Sequence, residues 1–477
     1  MSLGRSISWS VGCQLVSFVV GFGSSLVTAR LLSPFEMGLN AIAVAAMGIV
    51  QIVATFGISA YVIRDQDLQD HTVDLAFTVN AVLSTLLAAI LLVLSPFSAA
   101  LLGDARAGEV LRLLALTPLL NILGFRAATM LQREMRFKAY GVIMTAQVVV
   151  NSCVTIALAW NGWSYLSSSV AGIAATACAV ALMNMAAPHH FALRLRFTGW
   201  RKIARFGLEV MSVGGVAVLA ARLCEIILGR LFGIAALGVY SRASIIYNLM
   251  YDNLYGAATR VIFSSLSQHY RETGRLREPF LRAFETILAV MWPIQLGLAV
   301  VAPPAILFLY GPQWTAAAAP LSLLMVAQMI VLSFGMNWEL FVIRGETHVQ
   351  SRLEIRRAII GVAAFSAGAS FGLAGAAAGR VVEALFGNYL YRGHVDRLAE
   401  LRPGEVRHLL VRTATLAVVA ASPSAILMLW FGWSPHTPFL AVLGTVVVGI
   451  LLWIGALGLL RHPLFAAARG LVARKER

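Results

Sequence analysis

The chain is short of charge. Only 12% of its 477 residues are Asp, Glu, Lys or Arg, about half the proportion found in soluble domains. Hydrophobic residues make up 59%, and apolar runs of about 20 residues recur from Trp9 to Leu460. Each run is long enough to cross the hydrocarbon core of a bilayer. These features exclude a soluble globular protein and predict an all-α polytopic membrane protein.

Other absences narrow the function. The chain has four cysteines, without metal-ligand spacing and all inside predicted spans: Cys13, Cys153, Cys178 and Cys224. We therefore predict buried thiols, no metal and no cofactor. No phosphate-binding loop motif is present, so ATP is not the expected direct energy source. The first apolar run, Trp9 to Thr28, is too long for a signal peptide and is predicted to be the first span.

The hydrophobic pattern predicts about fourteen transmembrane helices. They lie near residues 9–29, 38–62, 74–95, 110–131, 140–160, 163–186, 207–228, 236–261, 281–309, 316–342, 355–371, 374–391, 409–430 and 438–460.

The positions of the 37 Lys and Arg residues orient these helices. One set of alternating loops, together with both termini, holds 28 of them, and 6 more lie within spans. The opposite set holds 3, namely Arg30, Arg106 and Arg230. Because cytoplasmic loops are enriched in Lys and Arg, we predict that both termini are cytoplasmic and that the span count is even.

A basic linker joins spans six and seven. Its sequence, HHFALRLRFTGWRKIARF (189–206), lies on the predicted cytoplasmic side. Such a polybasic segment is attracted to anionic lipid headgroups, so anionic membrane lipids are expected partners. No nucleic-acid recognition fold accompanies the basic residues, and no nucleic-acid partner is expected.

Two pairs of matching segments indicate an internal duplication. ARLLSPFEMGL (29–39) matches GRLFGIAALGV (229–239), and PFSAALLG (96–103) matches PAILFLYG (304–311). Six spans separate the copies, so both have the same orientation, as in transporters built from parallel repeats. We predict two six-helix lobes around a central cavity plus two C-terminal helices. The predicted divisions are an N-terminal lobe at 1–188, the linker at 189–206, a C-terminal lobe at 207–395, and spans 13–14 with a basic tail at 396–477.

At these segments the sequence resembles the polysaccharide transporter family of the multidrug/oligosaccharidyl-lipid/polysaccharide exporter superfamily. The similarity covers roughly residues 9 to 395, and its ordered features are ARLLSPFEMGLNAIA (29–43), TFGISAYVIRDQDL (55–68), VLRLLALTPLLNILG (110–124), LGRLFGIAALGVYSRA (228–243) and LYGPQWTAAAAPLSLL (309–324).

The resemblance implies a flippase, not an enzyme, that moves polyprenyl-pyrophosphate-linked oligosaccharide across the bacterial inner membrane by alternating access. It also implies a role in surface or exopolysaccharide biosynthesis, with other glycan-assembly membrane proteins as candidate partners. One feature departs from the family: relatives often carry an Asn/Asp pattern late in span seven, where this chain has Arg222 and Glu225.

Charged residues inside the spans are the candidate site. Arg222 and Arg242 lie about six residues inside the outer boundary, roughly 9 Å deep, and guanidinium groups match phosphate oxygens bidentately. The candidate pyrophosphate ligands are Arg222, Arg242, Arg126 and Arg380, and the candidate ion-coupling acids are Glu225, Asp252 and Glu383.

A structural alternative competes with each of these assignments. Arg222 with Glu225, and Arg380 with Glu383, are three residues apart, so each pair can form a self-neutralising bridge on one helix face. Arg126 lies near a span end and can extend its charge to the membrane surface.

Two other functions stay open at this point. The same superfamily contains ion-coupled exporters of drugs and small molecules, which should carry unpaired acids in place of arginines. A membrane glycan polymerase or ligase would also be polytopic and basic, but it is expected to carry a large outer loop. No predicted outer loop here exceeds about 15 residues. The motif DQD (65–67) resembles a glycosyltransferase metal site, but no nucleotide-binding domain surrounds it.

Overall fold

The computed structural model describes residues 3–54, 58, 62–63, 70–190, 194–460, 462 and 464. Within these ranges the chain is helical and contains no β-strand, which confirms the predicted all-α class. The helices are α1 (Leu3–Leu31), α2 (Pro34–Ala54), α3 (Asp70–Leu94), α4 (Ser98–Leu102), α5 (Arg106–Leu114), α6 (Leu116–Arg133), α7 (Phe137–Trp160), α8 (Leu166–Ala186), α9 (Trp200–Phe232), α10 (Ile234–Leu249), α11 (Gly256–Thr273), α12 (Arg277–Val300), α13 (Ala302–Tyr310), α14 (Ala318–Ser333), α15 (Asn337–Arg344), α16 (Thr347–Ala369), α17 (Gly372–Leu398), α18 (Glu405–Trp430) and α19 (Phe439–Leu459).

In the described part of the chain, 10 helical stretches are long and apolar enough to cross a membrane. The other four predicted spans, 207–228, 236–261, 355–371 and 374–391, are also helical, within α9, α10 to α11, α16 and α17. These four hold most of the intramembrane charge, which lowers their hydropathy. The motif DQD at 65–67 lies outside the described residues.

The chain divides into two compact units, Met1–Gly238 and Val239–Arg477. In the first unit, α7 packs against α1 and α8, α2 packs against α9, and α3 packs against α6. In the second, α12 packs against α14 and α18, α16 against α17, and α18 against α19. The core of the second unit surrounds Phe280, Phe334 and Tyr391, three side chains that are at most 1% exposed.

This division does not coincide with the predicted lobes. Helix α9 belongs to the first unit because it packs along α2, although the repeat assigns it to the second copy. The lobes at 1–188 and 207–395 are defined by sequence repetition and not by compactness, and they stay a prediction.

The first repeat pair forms a reciprocal contact inside the first unit. A Cβ added at Gly38 would lie 1.8 Å from the carbonyl oxygen of Ile234, and one added at Gly238 would lie 1.8 Å from that of Pro34. Residues 34 and 234 occupy equivalent places in the two copies, as do 38 and 238. Reciprocal contacts of this kind arise around a two-fold axis. They support the duplication and explain why both positions are glycine.

The second repeat pair shares one local feature, a glycine with positive φ at the end of a short helix. In the first unit, α4 ends at Gly103 with φ 94°, and in the second unit α13 ends at Gly311 with φ 99°. Only glycine adopts such angles without strain. Each copy therefore ends its proline-containing helical segment at a glycine with positive φ, although ψ differs, −4° at Gly103 and 176° at Gly311.

Glycine also sets the spacing of α16 and α17 in the second unit. A Cβ at Gly368 would lie 2.2 Å from the carbonyl oxygen of Gly375, and one at Gly375 would lie 2.1 Å from that of Gly368. Small residues allow membrane helices to approach this closely. The close approach brings the charged residues of these two helices together.

Candidate functional site

Arg222 and Glu225 form an ion pair on α9 of the first unit. Nη1 of Arg222 donates to Oε2 of Glu225 at 2.8 Å, and the two side chains are 32% and 28% exposed. The arginine side chain lies against the backbone of α2, where a Cβ at Gly48 would be 2.8 Å from Nε. The pair is therefore held in place by helix packing but still partly open.

Arg380 and Glu383 repeat this arrangement on α17 of the second unit. Nη1 of Arg380 donates to Oε2 of Glu383 at 2.7 Å, and the guanidinium lies 5.3 Å from the centre of the Phe365 ring. A glycine again makes room, since a Cβ at Gly361 would be 2.6 Å from Cδ of Glu383. Both predicted Arg-x-x-Glu pairs are thus formed.

Arg242, on α10 of the second unit, is only 5% exposed. Its guanidinium lies 5.7 Å from the centre of the Tyr310 ring and 5.2 Å from that of Trp314. Aromatic faces attract cations, and the attraction is stronger where water is excluded. This surrounding gives Arg242 a packing role that its sequence neighbourhood does not reveal. Its predicted contact with pyrophosphate stays a prediction.

Arg126, on α6 of the first unit, forms an ion pair with Asp74 on α3. The side chains are 11% and 16% exposed, and the guanidinium also lies 5.0 Å from the Phe77 ring centre. Arg126 is therefore largely buried and neutralised within the bundle. No pattern in the sequence pointed to Asp74 as the partner, since it lies 52 positions away and at the edge of a predicted span.

The three predicted ion-coupling acids have different surroundings. Glu225 and Glu383 each accept a hydrogen bond from an arginine of their own helix. Asp252 lies in a π-helical segment, Met250–Tyr255, with its side chain exposed. A fourth acid, Glu339 on α15, is 7% exposed. In the sequence, Glu339 is a charged residue within predicted span ten that was not among the candidate ion-coupling acids.

The structure contains a polar cluster between α16 and α17 that the sequence did not predict. Arg357 donates to Glu354 at 2.5 Å, and the Tyr391 hydroxyl donates to the other oxygen of Glu354 at 2.9 Å. Helix α16 begins at Thr347, eight residues before the predicted span, so Arg357 lies well inside the helix and not at its start. The three-residue spacing of Glu354 and Arg357 was the available signal.

Outside the spans, loop acids are paired with arginines. Arg106 donates to Asp104 at 3.0 Å, and this hydrogen bond lowers the pKa of the Asp104 carboxyl. Arg397 likewise binds Glu346 and holds the pKa of that carboxyl below its usual value. These loop acids therefore stay ionised and joined to their cations at neutral pH.

The described residues contain no group of three or more His, Cys, Asp or Glu side chains that could hold a metal ion. The four cysteines, all within the described ranges, form no disulfide.

The sequence profile of the polysaccharide biosynthesis protein family matches residues 27–319, more than half of the chain. Among similar proteins, the succinoglycan biosynthesis transport protein ExoT of Rhizobium meliloti (strain 1021) is 25% identical over 332 residues, 69% of this chain and 66% of the relative. The lipopolysaccharide biosynthesis protein WzxC of Escherichia coli (strain K12) is 21% identical over 334 residues, 68% of this chain and 66% of the relative. The chain thus spans just under two thirds of each relative's length.

Among solved structures, the chain is similar to the lipid II flippase MurJ in an inward closed conformation. The TM-score is 0.78 at 12% identity, covering 96% of this chain and 99% of that one. At this identity the likeness concerns the fold, and it extends along nearly the whole of both chains.

Proposed function

We propose, since the chain belongs to the polysaccharide biosynthesis protein family, that it flips a polyprenyl-pyrophosphate-linked oligosaccharide across the bacterial inner membrane by alternating access. The flipped lipid would supply surface or exopolysaccharide assembly. Two relatives named for succinoglycan transport and lipopolysaccharide biosynthesis support this substrate class.

The observation that carries the proposal is the partly open Arg222–Glu225 pair. Among the described residues, Glu225 is the hydrogen-bond acceptor of this guanidinium, which has five N–H donors. Charged groups inside a membrane are costly and usually serve function. A pyrophosphate can take over the guanidinium, because its oxygens match the bidentate fork. Glu225 then orients Arg222 while no cargo is bound.

The other candidate cations follow from the same reasoning. Arg380, 22% exposed and bound to Glu383, is proposed as a second pyrophosphate ligand because its pair repeats the first. Arg126 and Arg242 are weaker candidates, because an ion pair and two aromatic rings already surround them.

The proposal includes an orientation. Both termini and the basic linker 189–206 are placed in the cytoplasm, where the linker would contact anionic lipids. Other glycan-assembly membrane proteins are candidate partners on either side of the membrane.

Reporter fusions test this orientation. Fusions at Gly103, Gly311 and Trp433 should report the periplasm, and fusions at Arg201 and Arg402 should report the cytoplasm. The expected result follows from the loop distribution of Lys and Arg. Reversed signals at any two of these positions would contradict the topology.

Lipid analysis of cells lacking the gene tests the function. The expected result is loss of the surface glycan, with polyprenyl-pyrophosphate-linked oligosaccharide accumulating on the cytoplasmic leaflet. Normal surface glycan together with drug hypersensitivity would instead support a multidrug exporter. Accumulation of flipped but unpolymerised units would support a glycan polymerase or ligase.

A further inference from the structure

Two helices of the second unit are irregular within the bundle. One continues from α10 through the π-helical segment Met250–Tyr255 into α11. The other is broken between α14 and α15, where Met336 has φ 59°. Irregular backbone at membrane depth is tolerated where it is buried in protein or lines a cavity. Single π turns are often found at functional sites.

The two irregularities touch each other. The backbone N–H of Met336 donates to the Tyr255 hydroxyl at 2.7 Å, and a Cβ added at Gly335 would lie 3.1 Å from that oxygen. Tyr255 is 8% exposed. The π-helical segment therefore supplies an acceptor for an amide that the break removes from the helix ladder.

Glu339 lies in the first turn of α15, directly after the break. It is 7% exposed, and it is the one Asp or Glu that is buried among the residues whose burial the structure describes. No ion pair joins it to any of the described residues. An isolated buried charge is strongly unfavourable, and it is commonly removed by binding a proton.

The neighbouring ionisable groups do not supply a counter-charge. Helix α15 packs against α11, α16 and α17, and the tyrosines that interact with Glu339 are Tyr251 and Tyr255. On these helices Glu354 pairs with Arg357, Arg380 with Glu383, Arg392 with Asp396 and Arg397 with Glu346. The other basic residues on the packed helices form no ion pair with Glu339 in the described part of the chain; they are Arg260, His269, Arg271, His348, Arg352, Arg356 and His394. The N-terminal turn of α15 favours an anion, but by less than the burial of an unpaired carboxylate costs.

The acids first suggested by the sequence are less suited to carry a proton. Protonating Glu225 or Glu383 would break the hydrogen-bonded ion pair with Arg222 or Arg380. Asp252 is exposed, so its charge is not forced out by burial. Glu339 differs from all three because it is buried and forms no ion pair with any residue that the structure describes.

We propose that Glu339 is a proton-binding site, and that its protonation couples transport to the proton gradient. The proton adds to a carboxylate oxygen of Glu339, and the side chain becomes neutral. This removes an unfavourable buried charge from the junction, by which we mean the contact between the π-helical segment Met250–Tyr255 and the helix break at Met336. Deprotonation would favour rearrangement of this junction, which is built from two segments able to change their hydrogen bonding. The coupling half of this proposal rests on the proposed flippase function, whereas proton binding does not.

Infrared spectroscopy of the purified full-length protein in nanodiscs tests proton binding. As the pH is lowered, the wild-type protein should gain the C=O stretch of a protonated carboxyl group. That band should be lost in Glu339→Gln and kept in the matched control Asp252→Asn, whose acid lies in the π-helical segment. An unchanged band in Glu339→Gln would overturn the proposal. If Glu339→Gln does not fold, Glu339→Asp is measured in its place. Its carboxyl band should be kept, with a shifted frequency and a shifted pH midpoint. An unshifted band would overturn the proposal.

Coupling is tested in proteoliposomes that contain a polyprenyl-pyrophosphate-linked oligosaccharide. An imposed pH gradient should accelerate flipping by the wild-type protein, and Glu339→Gln should lose that acceleration while flipping without a gradient persists. A full response in Glu339→Gln would refute the coupling role. Absence of flipping by the wild-type protein would instead refute the proposed function and leave the infrared result standing.

Discussion

Replacing Arg222 with alanine is expected to lower transport at least about tenfold, since a hydrogen bond to a charged group contributes about 1.5–3 kcal/mol. In the proposed mechanism this guanidinium binds the pyrophosphate of the cargo. While no cargo is bound, Glu225 accepts a hydrogen bond from the guanidinium at 2.8 Å and keeps it oriented. Arg222→Lys should rescue part of the activity, because the charge is kept but the bidentate fork is lost. The measurement is surface-glycan synthesis at matched protein abundance.

Two further variants separate cargo binding from a structural bridge. If Arg222 only neutralises Glu225, the double variant Arg222→Leu with Glu225→Leu removes both charges and should restore activity. A fully active double variant would therefore contradict the cargo role. Arg106→Ala is the matched control, because Arg106 also pairs with a nearby acid but is 52% exposed at the start of α5. It should leave transport unchanged.

Substituting Gly38 or Gly238 with alanine is expected to be strongly destabilising. Each new Cβ would lie 1.8 Å from a backbone carbonyl oxygen, and backbone cannot move aside as a flexible side chain can. Overpacking of this severity costs about 3 kcal/mol, the upper end of the usual range. The thermal unfolding midpoint of the detergent-solubilised protein should fall clearly for both variants, and by similar amounts because the two contacts are reciprocal.

Gly172→Ala provides the control for this experiment. Gly172 lies inside α8 with no atom within 4 Å of an added Cβ, and alanine favours helix over glycine by about 1 kcal/mol. Its unfolding midpoint should stay the same or rise. If Gly38→Ala were as stable as Gly172→Ala, the reciprocal contact would be disproved.

The sequence alone predicted the helical class and the approximate span positions, because a bilayer permits few alternatives to helices. The Arg-x-x-Glu pairs were also predictable, since their geometry depends only on helix periodicity. Gly38 and Gly238 appeared as matching positions in a repeat, and the structure gives the physical reason for that match.

Contacts between distant segments could not be predicted from one sequence. Nothing near Arg242 indicates that Tyr310 and Trp314 will enclose it, and nothing near Arg126 points to Asp74. Arg357 falls at the very start of predicted span 355–371, whereas α16 already begins at Thr347 and places it well inside the helix. Glu339 shows the same limit, since its proposed role depends on its burial without an ion-pair partner among the described residues, which only the packed bundle reveals.

The most direct test of the central claim is flipping by the purified protein alone. Proteoliposomes would carry a labelled polyprenyl-pyrophosphate-linked oligosaccharide in both leaflets, and an impermeant enzyme or lectin would report the fraction accessible from outside. With wild-type protein we expect the protected inner pool to become accessible over time, whereas Arg222→Ala and protein-free vesicles should keep it protected. A protected pool that stays constant with folded wild-type protein, with and without a pH gradient, would contradict the account.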